Sequence, residues 1–428
     1  MADKEEEDTR PMKDWILVQN SELRLEVQND NSVDIQLLFG VAEIFGTEMA
    51  KNMRYTISNQ AKIAIFTDIS CTIRILGSPD IAYVSTDTPM HIYRNTHFAL
   101  EHLRRTAQQN DTFGPKVMVC GPTDVGKSTL CRLLSNYAVR SGHQPILVDI
   151  DVGQSDISIP GSIGVLPIER PAGIEENEFL KPGSLVYHYG HNNPASNLKF
   201  YDTLVSKTFE MYQERCKENP TNKYSGCIIN TCGWIDGSGY KCLLHCAKVY
   251  EVDAVLVLDH ERLCIDFQRD LPKTTSIIRL PKSGGTVVRG REFRKNHRNN
   301  VVREYFYGKK GSLSLFPFSF EVPFSEVSVY KIGAPEVPES CLPIGATAED
   351  GNTQLVPVEI NKDLVNRIVS LSMATSLEEN VVSCSSAGFL CITAVNTDAE
   401  TITVLSPAPS PLPRKFLLLS DIEFVDFK

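Results

Sequence analysis

Residues 115–129, PKVMVCGPTDVGKST, decide the fold. Val117–Cys120 is an apolar run of strand length. The residues that follow, Gly121-Pro122-Thr123-Asp124-Val125-Gly126-Lys127-Ser128-Thr129, contain GxxxxGK[ST] in full. Behind them Leu130, Leu133, Leu134, Tyr137 and Ala138 recur at the 3.6-residue period, which predicts a helix with one apolar face. Strand, glycine-bounded loop and helix form the context that a phosphate-binding loop requires. The glycines let backbone N–H groups face an anion, and the helix N-terminus adds the positive end of its dipole. In this reading Gly121, Thr123, Asp124, Val125 and Gly126 cradle phosphates. Lys127 reaches the β- and γ-phosphates, the Ser128 hydroxyl binds Mg²⁺, and Thr129 assists at the α-phosphate.

The next apolar run, Ile146–Val148, ends in acids: Asp149-Ile-Asp151-Val-Gly153-Gln154. Period-two geometry puts Asp149 and Asp151 on one side of the strand. Asp151 lies nearer the strand's C-terminal end, where open α/β sheets bind their ligands. It is the candidate to act through Mg²⁺ or to take a proton from a nucleophile, with a capping aspartate as the alternative. Cys227–Ile229, Ala254–Leu258 and Ser276–Leu280 are further apolar runs, separated by helical stretches. Together they indicate a mainly parallel sheet covered on both faces. A guanine-reading NKxD is missing, since Asn361-Lys362-Asp363-Leu364 has the wrong order, so adenine is favoured.

Two segments bear on the acceptor. Asn230-Thr231-Cys232-Gly233-Trp234-Ile235-Asp236-Gly237 follows a strand and carries one of two tryptophans between glycines. A buried core tryptophan is the common alternative, but a loop aromatic can stack on a nucleobase, worth roughly 1–3 kcal/mol. Residues 289–310 hold Arg289, Arg291, Arg294, Lys295, Arg298, Arg303, Lys309 and Lys310 against Glu292 and Glu304, a cationic run in a chain of net charge −10. It follows Ser283-Gly284-Gly285, and Arg291, Arg294 and Arg298 lie near one helical face. An arginine lid closing on a transferring phosphate fits this pattern better than a solvated surface run.

The flanks have a different grammar. Leu23, Leu25 and Val27, then Val33, Ile35 and Leu37, then Ile63, Ile65, Ile73 and Ile75 alternate with polar residues, which predicts an N-terminal β-sandwich. Residues 96–109 read as a connecting helix. After residue 312 short strands return at Val327–Ile332, Phe389–Val395, Thr401–Leu405 and Phe416–Leu419. Pro407, Pro409, Pro411 and Pro413 read either as an SH3-type ligand or as a rigid exposed turn. The expected architecture is therefore α/β: a P-loop core with a mainly parallel sheet over residues 105–311, a β-sandwich with acidic tail and connector helix over 1–104, and a β-rich domain over 312–428.

Of the 428 residues 42% are apolar and 22% charged, which excludes a largely disordered chain. The net charge excludes a bulk basic coat, so nucleic acid must meet a local patch. No run of about 18 apolar residues occurs, so no membrane-spanning helix is expected. MADKEEEDTRP is acidic, unlike a secretory or mitochondrial leader. The 12 cysteines are dispersed and read as reduced, mostly buried thiols. Cys242, His245 and Cys246 lack a clear fourth ligand for zinc.

The ordered set GPTDVGKST, DVGQ with SIPG, NTCGW, PKSGG and REYFYG resembles the polyribonucleotide 5′-hydroxyl kinases of the pre-mRNA 3′-end cleavage factor and the tRNA-splicing endonuclease complex, of the animal type. The resemblance runs from about Glu22 to LSPAPSPLP. It implies three domains, ATP with Mg²⁺ at Lys127 and Ser128, and activation of an RNA 5′-hydroxyl by Asp151. Arg289, Arg294 and Arg298 match the lid arginines, and Trp234 matches the aromatic that clasps the terminal base. Gly153, Gln154 and Thr231 fall beside the acceptor. Glu22 and Lys62 match positions that reach the adenine; on their own chemistry both read as surface charges. The resemblance further implies subunits of those two complexes as partners and residence in the nucleus. Two functions are open on this reading: an ATP-dependent kinase of RNA 5′-hydroxyl ends, or an ATP-bound scaffold subunit.

Overall fold

The computed structural model describes residues 10–28, 31–58, 61–176, 178–309, 314–333 and 352–425. The extreme N-terminus, Lys310 and the boundary at 311/312 lie outside the described residues.

The central sheet has seven strands, in the order Leu185–His188, Ser162–Pro167, Ile146–Asp149, Cys227–Asn230, Lys116–Cys120, Ala254–Leu258 and Ser276–Leu280. The five strands from Ile146–Asp149 to Ser276–Leu280 are parallel, and the first two extend the sheet antiparallel. Its two faces separate by residue parity, as period two demands. Val117 and Val119 face Leu130, Leu133 and Leu134 of the helix Lys127–Arg140. Met118 and Cys120 face Tyr201, Leu204, Leu243, Cys246 and Phe267 from three helices on the other side. Cys242 and Cys246 belong to that apolar layer, and ten of the eleven described cysteines are buried.

The N-terminal unit is a sandwich of a four-stranded and a five-stranded antiparallel sheet. Leu23, Leu25, Val27, Val33, Ile35, Leu37, Ile63, Ile65, Ile73 and Ile75 form its core. One strand, Met12–Leu17, lies in the stretch read as polar tail. It pairs with Cys71–Leu76 as a sheet edge, with Met12 and Ile16 facing solvent. The connecting helix begins at Met90, six residues before its predicted start, and runs to Gln109, across the boundary drawn at 104/105. Tyr93, His97, Leu100, Arg104 and Ala107 are buried on it, and Arg104 Nε donates to the Ser225 carbonyl at 3.0 Å. This helix is part of the central domain's packing rather than a tether.

The C-terminal unit is a seven-stranded, mostly antiparallel sheet. The proline segment is an exposed turn between Thr401–Ser406 and Phe416–Glu423. Among the described residues no helix is long and apolar enough to cross a membrane.

Candidate active site

The site forms where the parallel strands end. Lys116–Cys120 runs into the phosphate loop, in which Gly121 has φ +150° and Gly126 φ +92°, both glycine conformations. A Cβ on Gly121 would stand 2.7 Å from the Leu258 carbonyl oxygen. Lys127 opens the following helix with its side chain buried, and Nζ donates to the Pro122 carbonyl at 2.7 Å. Burial pushes its pKa down, against the pull of the Asp151 carboxylate. Val125 is buried and Thr129 half-buried beneath the loop, while Thr123 is exposed at its tip.

Asn230 ends the neighbouring strand, and its amide joins the loop to the acids. Nδ2 donates to Ser128 Oγ at 3.2 Å and to Asp149 Oδ1 at 3.0 Å. Asp149 is fully buried and also accepts from the Asp151 and Asp156 backbone N–H groups. Burial raises its pKa well above the usual range, and the Asp156 and Asp151 charges add to this. The strand stops at Asp149, so Asp151 stands on the loop beyond it rather than on the same pleat. There its Oδ1 accepts from Gly153 N at 2.9 Å and Gln154 N at 3.1 Å, which fixes the carboxylate. Burial raises the Asp151 pKa, opposed by Lys127 and by those two N–H groups. Gly153 also lies close to the Asn192 carbonyl, 3.1 Å from where a Cβ would be.

The NTCGW loop touches the phosphate loop. A Cβ on Gly233 would stand 2.6 Å from Thr123 N, so only glycine permits this approach. Trp234 is half-buried against Gly239 at the start of the helix Ser238–Val249. Thr231 does not face this space: it is fully buried and donates to the Val119 carbonyl at 2.8 Å, tying two strands together.

The cationic run is the helix Arg291–Tyr307, and it docks on the phosphate loop. Asp124 Oδ2 accepts from Arg289 N at 2.9 Å and from Arg294 Nη2 at 2.7 Å. Arg294 Nε is buried with no hydrogen-bond partner. The Arg289 guanidinium lies over the Phe293 ring, 5.4 Å from its centroid. Burial and the Arg294 charge push the Arg298 pKa down, and Asp151 opposes them, which places Arg298 within electrostatic reach of Asp151.

Glu22 and Lys62 are kept apart. They sit on paired strands, but Glu22 faces Phe66 and Lys62 faces Glu26. That is four residues along the sheet, about 13 Å. Glu22 is buried rather than a surface charge, and it accepts from Arg24 Nε at 2.6 Å and Thr88 Oγ1 at 2.7 Å. Lys62 is exposed and paired with Glu26 at 2.7 Å.

Asn230 and Arg24 were not singled out from sequence. A polar residue closing the apolar run Cys227–Ile229 was the available signal for Asn230. Arg24 has one local partner, Glu22 on the same strand, but Tyr83 and the Asp87 carbonyl come from a distant segment.

Residues 121–308 match the family model of the mRNA cleavage and polyadenylation factor CLP1 P-loop. Residues 315–426 match that of the pre-mRNA cleavage complex II protein Clp1, and 16–107 that of the N-terminal beta-sandwich domain of polyadenylation factor. The chain is 49% identical to the polyribonucleotide 5′-hydroxyl-kinase Clp1 of Gallus gallus and to that of Homo sapiens, over 100% of each chain. It is 51% identical to the CLP1 homolog of Anopheles gambiae, over 97% of this chain and 98% of that one. Among solved structures, Clp1p in the wild-type Clp1p–Pcf11p complex shares the fold, with a TM-score of 0.82 at 23% identity, over 98% of this chain and 100% of that one.

Proposed function

The chain belongs to the Clp1 family, and we propose that it transfers the γ-phosphoryl group of ATP to the 5′-hydroxyl of an RNA end. The observation that carries this reading is one constellation. A phosphate loop with a buried lysine, a fixed carboxylate at the end of the next strand, and arginines docked across the loop meet at the same sheet edge.

The chemistry follows from positions. The loop N–H groups and Lys127 hold the β- and γ-phosphates. Asp151 receives the proton of the 5′-hydroxyl as the oxygen attacks phosphorus; its raised pKa brings it nearer the working pH, where a general base is more effective. Arg294 and Arg298 neutralise charge on the transferring oxygens, with the unpartnered Arg294 Nε as a donor in reserve. ADP leaves with the bridging oxygen. The oxygen donors at Ser128, Asp149 and Asp151 suit a hard divalent cation, and Mg²⁺ held there would neutralise phosphate charge. Gly153 and Gln154 line the acceptor side and Trp234 offers a ring to the terminal base. Glu22 and Lys62 bear on the nucleotide base from the sandwich, from two separate points.

By the same likeness, the protein works in the nucleus, in mRNA 3′-end processing and tRNA splicing. Its partners there are cleavage-factor subunits of the Pcf11 kind and tRNA-splicing endonuclease subunits. The test is transfer of labelled γ-phosphate to a short 5′-hydroxyl RNA, with Asp151→Asn alongside. Transfer that disappears in the variant is expected. No transfer by the unaltered chain, with ATP still retained, would overturn the kinase in favour of the scaffold.

A further inference from the structure

Arg24 lies in the N-terminal sandwich, yet its guanidinium serves a loop of the kinase core. It is 8% exposed and held on three sides. Nε donates to Glu22 Oε1 at 2.6 Å, Nη2 to the Asp87 carbonyl at 2.8 Å, and Nη1 to Tyr83 Oη at 3.4 Å. Over it passes Ser283-Gly284-Gly285. A Cβ on Gly284 would stand 2.9 Å from Nη1, and one on Gly285 3.4 Å from Nε. The close approach is at Gly284, where a side chain would press on the guanidinium, and Gly285 follows in ordinary contact with it.

The same loop continues to the phosphate site. Thr286 Cγ2 is 3.5 Å from where a Gly126 Cβ would be, and Arg289 N bonds Asp124. Upstream, Tyr93 Oη donates to the Pro281 carbonyl at 2.6 Å. The loop that leads into the arginine helix thus lies against the sandwich at Gly284, passes the phosphate loop at Gly126 and is bonded to it at Asp124.

A buried ion pair such as Arg24–Glu22 is weak evidence for stability, because apolar residues of similar volume often do as well. What an apolar side chain cannot do is hold a fixed, planar, charged platform under a backbone. We propose that Arg24 is a positioning residue: through Gly284 and Gly285 it makes the sandwich set the place from which the arginine helix reaches the phosphates.

The proposal rests on the kinase reading for its rate measurements, so the experiment has two independent arms. In the first, kcat and KM for ATP are measured for Arg24→Ala, Arg24→Lys, Arg294→Ala and the Arg24→Ala/Arg294→Ala pair. Misplacement of catalytic groups costs on the order of tenfold to a hundredfold, so kcat of Arg24→Ala is expected to fall by about that much, a larger effect than any rise in KM for ATP that comes from unpairing Glu22. Lysine restores part of the rate. In the Arg294→Ala background the further loss is expected to be about twofold or less, because both changes act on one element. A full, independent loss in that background, or a change in KM alone, overturns the proposal.

In the second arm, amide hydrogen exchange is followed across 283–298. Exchange on the order of tenfold faster in Arg24→Ala is expected, with Leu23 and Leu25 as protected as before. Unchanged exchange across 283–298 overturns the proposal whether or not the chain is a kinase. If Arg24→Ala loosens the sandwich itself, Gly284→Ala replaces it. That variant keeps Arg24 and displaces the loop from it, at a backbone position outside the left-handed region. It must show the same fall in kcat and the same faster exchange, and normal behaviour of both refutes the coupling.

Discussion

Two helices bring cations to the phosphate loop, and they are built in opposite ways. In Lys127–Arg140, nine of fourteen residues are buried, with Leu130, Leu133 and Leu134 against the sheet and Asn136 and Tyr137 against the sandwich. In Arg291–Tyr307, two of seventeen are buried, Val302 and Phe306, both near the C-terminal end. The first helix cannot shift without breaking the core. The second has its root in apolar packing and its arginines over the site. A site that must hold one substrate and then close on another needs both kinds of element.

The contrast can be broken at several points. Lys127→Ala is expected to cost the most, a fall in labelled phosphate transfer on the order of 10³-fold, since it removes the buried charge at the phosphates. Leu134→Ala, 0% exposed, is expected to lower stability by about 2–5 kcal/mol in urea unfolding. Phe293→Ala, 37% exposed on the arginine helix, should change it by less than about 0.5 kcal/mol. Equal losses at the two positions would erase the distinction between the helices. Arg294→Ala is expected to lower kcat on the order of 10²-fold with little change in melting temperature, because Asp124 keeps its bond from Arg289 N.

A further effect is on pH dependence beneath the rigid helix. The His97 ring packs on Tyr137 at 5.1 Å, and burial, with the Arg104 charge, pushes its pKa down from 6.5 to about 4. The unfolded chain binds the proton first, so stability present above pH 6.5 is lost as pH falls toward 4. The free energy of unfolding should fall across that window by up to about 3 kcal/mol for this one group. His97→Gln should flatten the slope in part, since buried His188, pushed to about 3, adds acid sensitivity of the same sign.

Alternation and helical period made most of this architecture legible, because the residues that carry the pattern face a core. Leu23, Leu25 and Val27 are all buried, and so are Leu130, Leu133 and Leu134. Met12–Leu17 was not read as a strand because an edge strand on a solvated face need not alternate: Met12 and Ile16 point outward while Lys13 lies over the Trp15 ring. The helix start at Met90 was hidden by the polar sequence around Tyr93 and His97, which are buried through distant partners. At the site, the phosphate loop could be read because its chemistry is local. Thr231 and Glu22 could not, since each depends on a partner from another segment, the Val119 carbonyl for one and Thr88 for the other.

The far end of the arginine helix rests on the C-terminal sheet. Tyr305 Oη accepts from Phe389 N at 2.9 Å, and the Phe306 ring stacks on Phe424. From Phe306 back to Arg294 is twelve residues, about 18 Å of helix. A tilt of about 10° at that root moves the arginine end by about 3 Å, enough to part Arg294 from Asp124. The C-terminal sheet is in this sense the fulcrum of a lever, and a small push on it would arrive magnified at the phosphate loop.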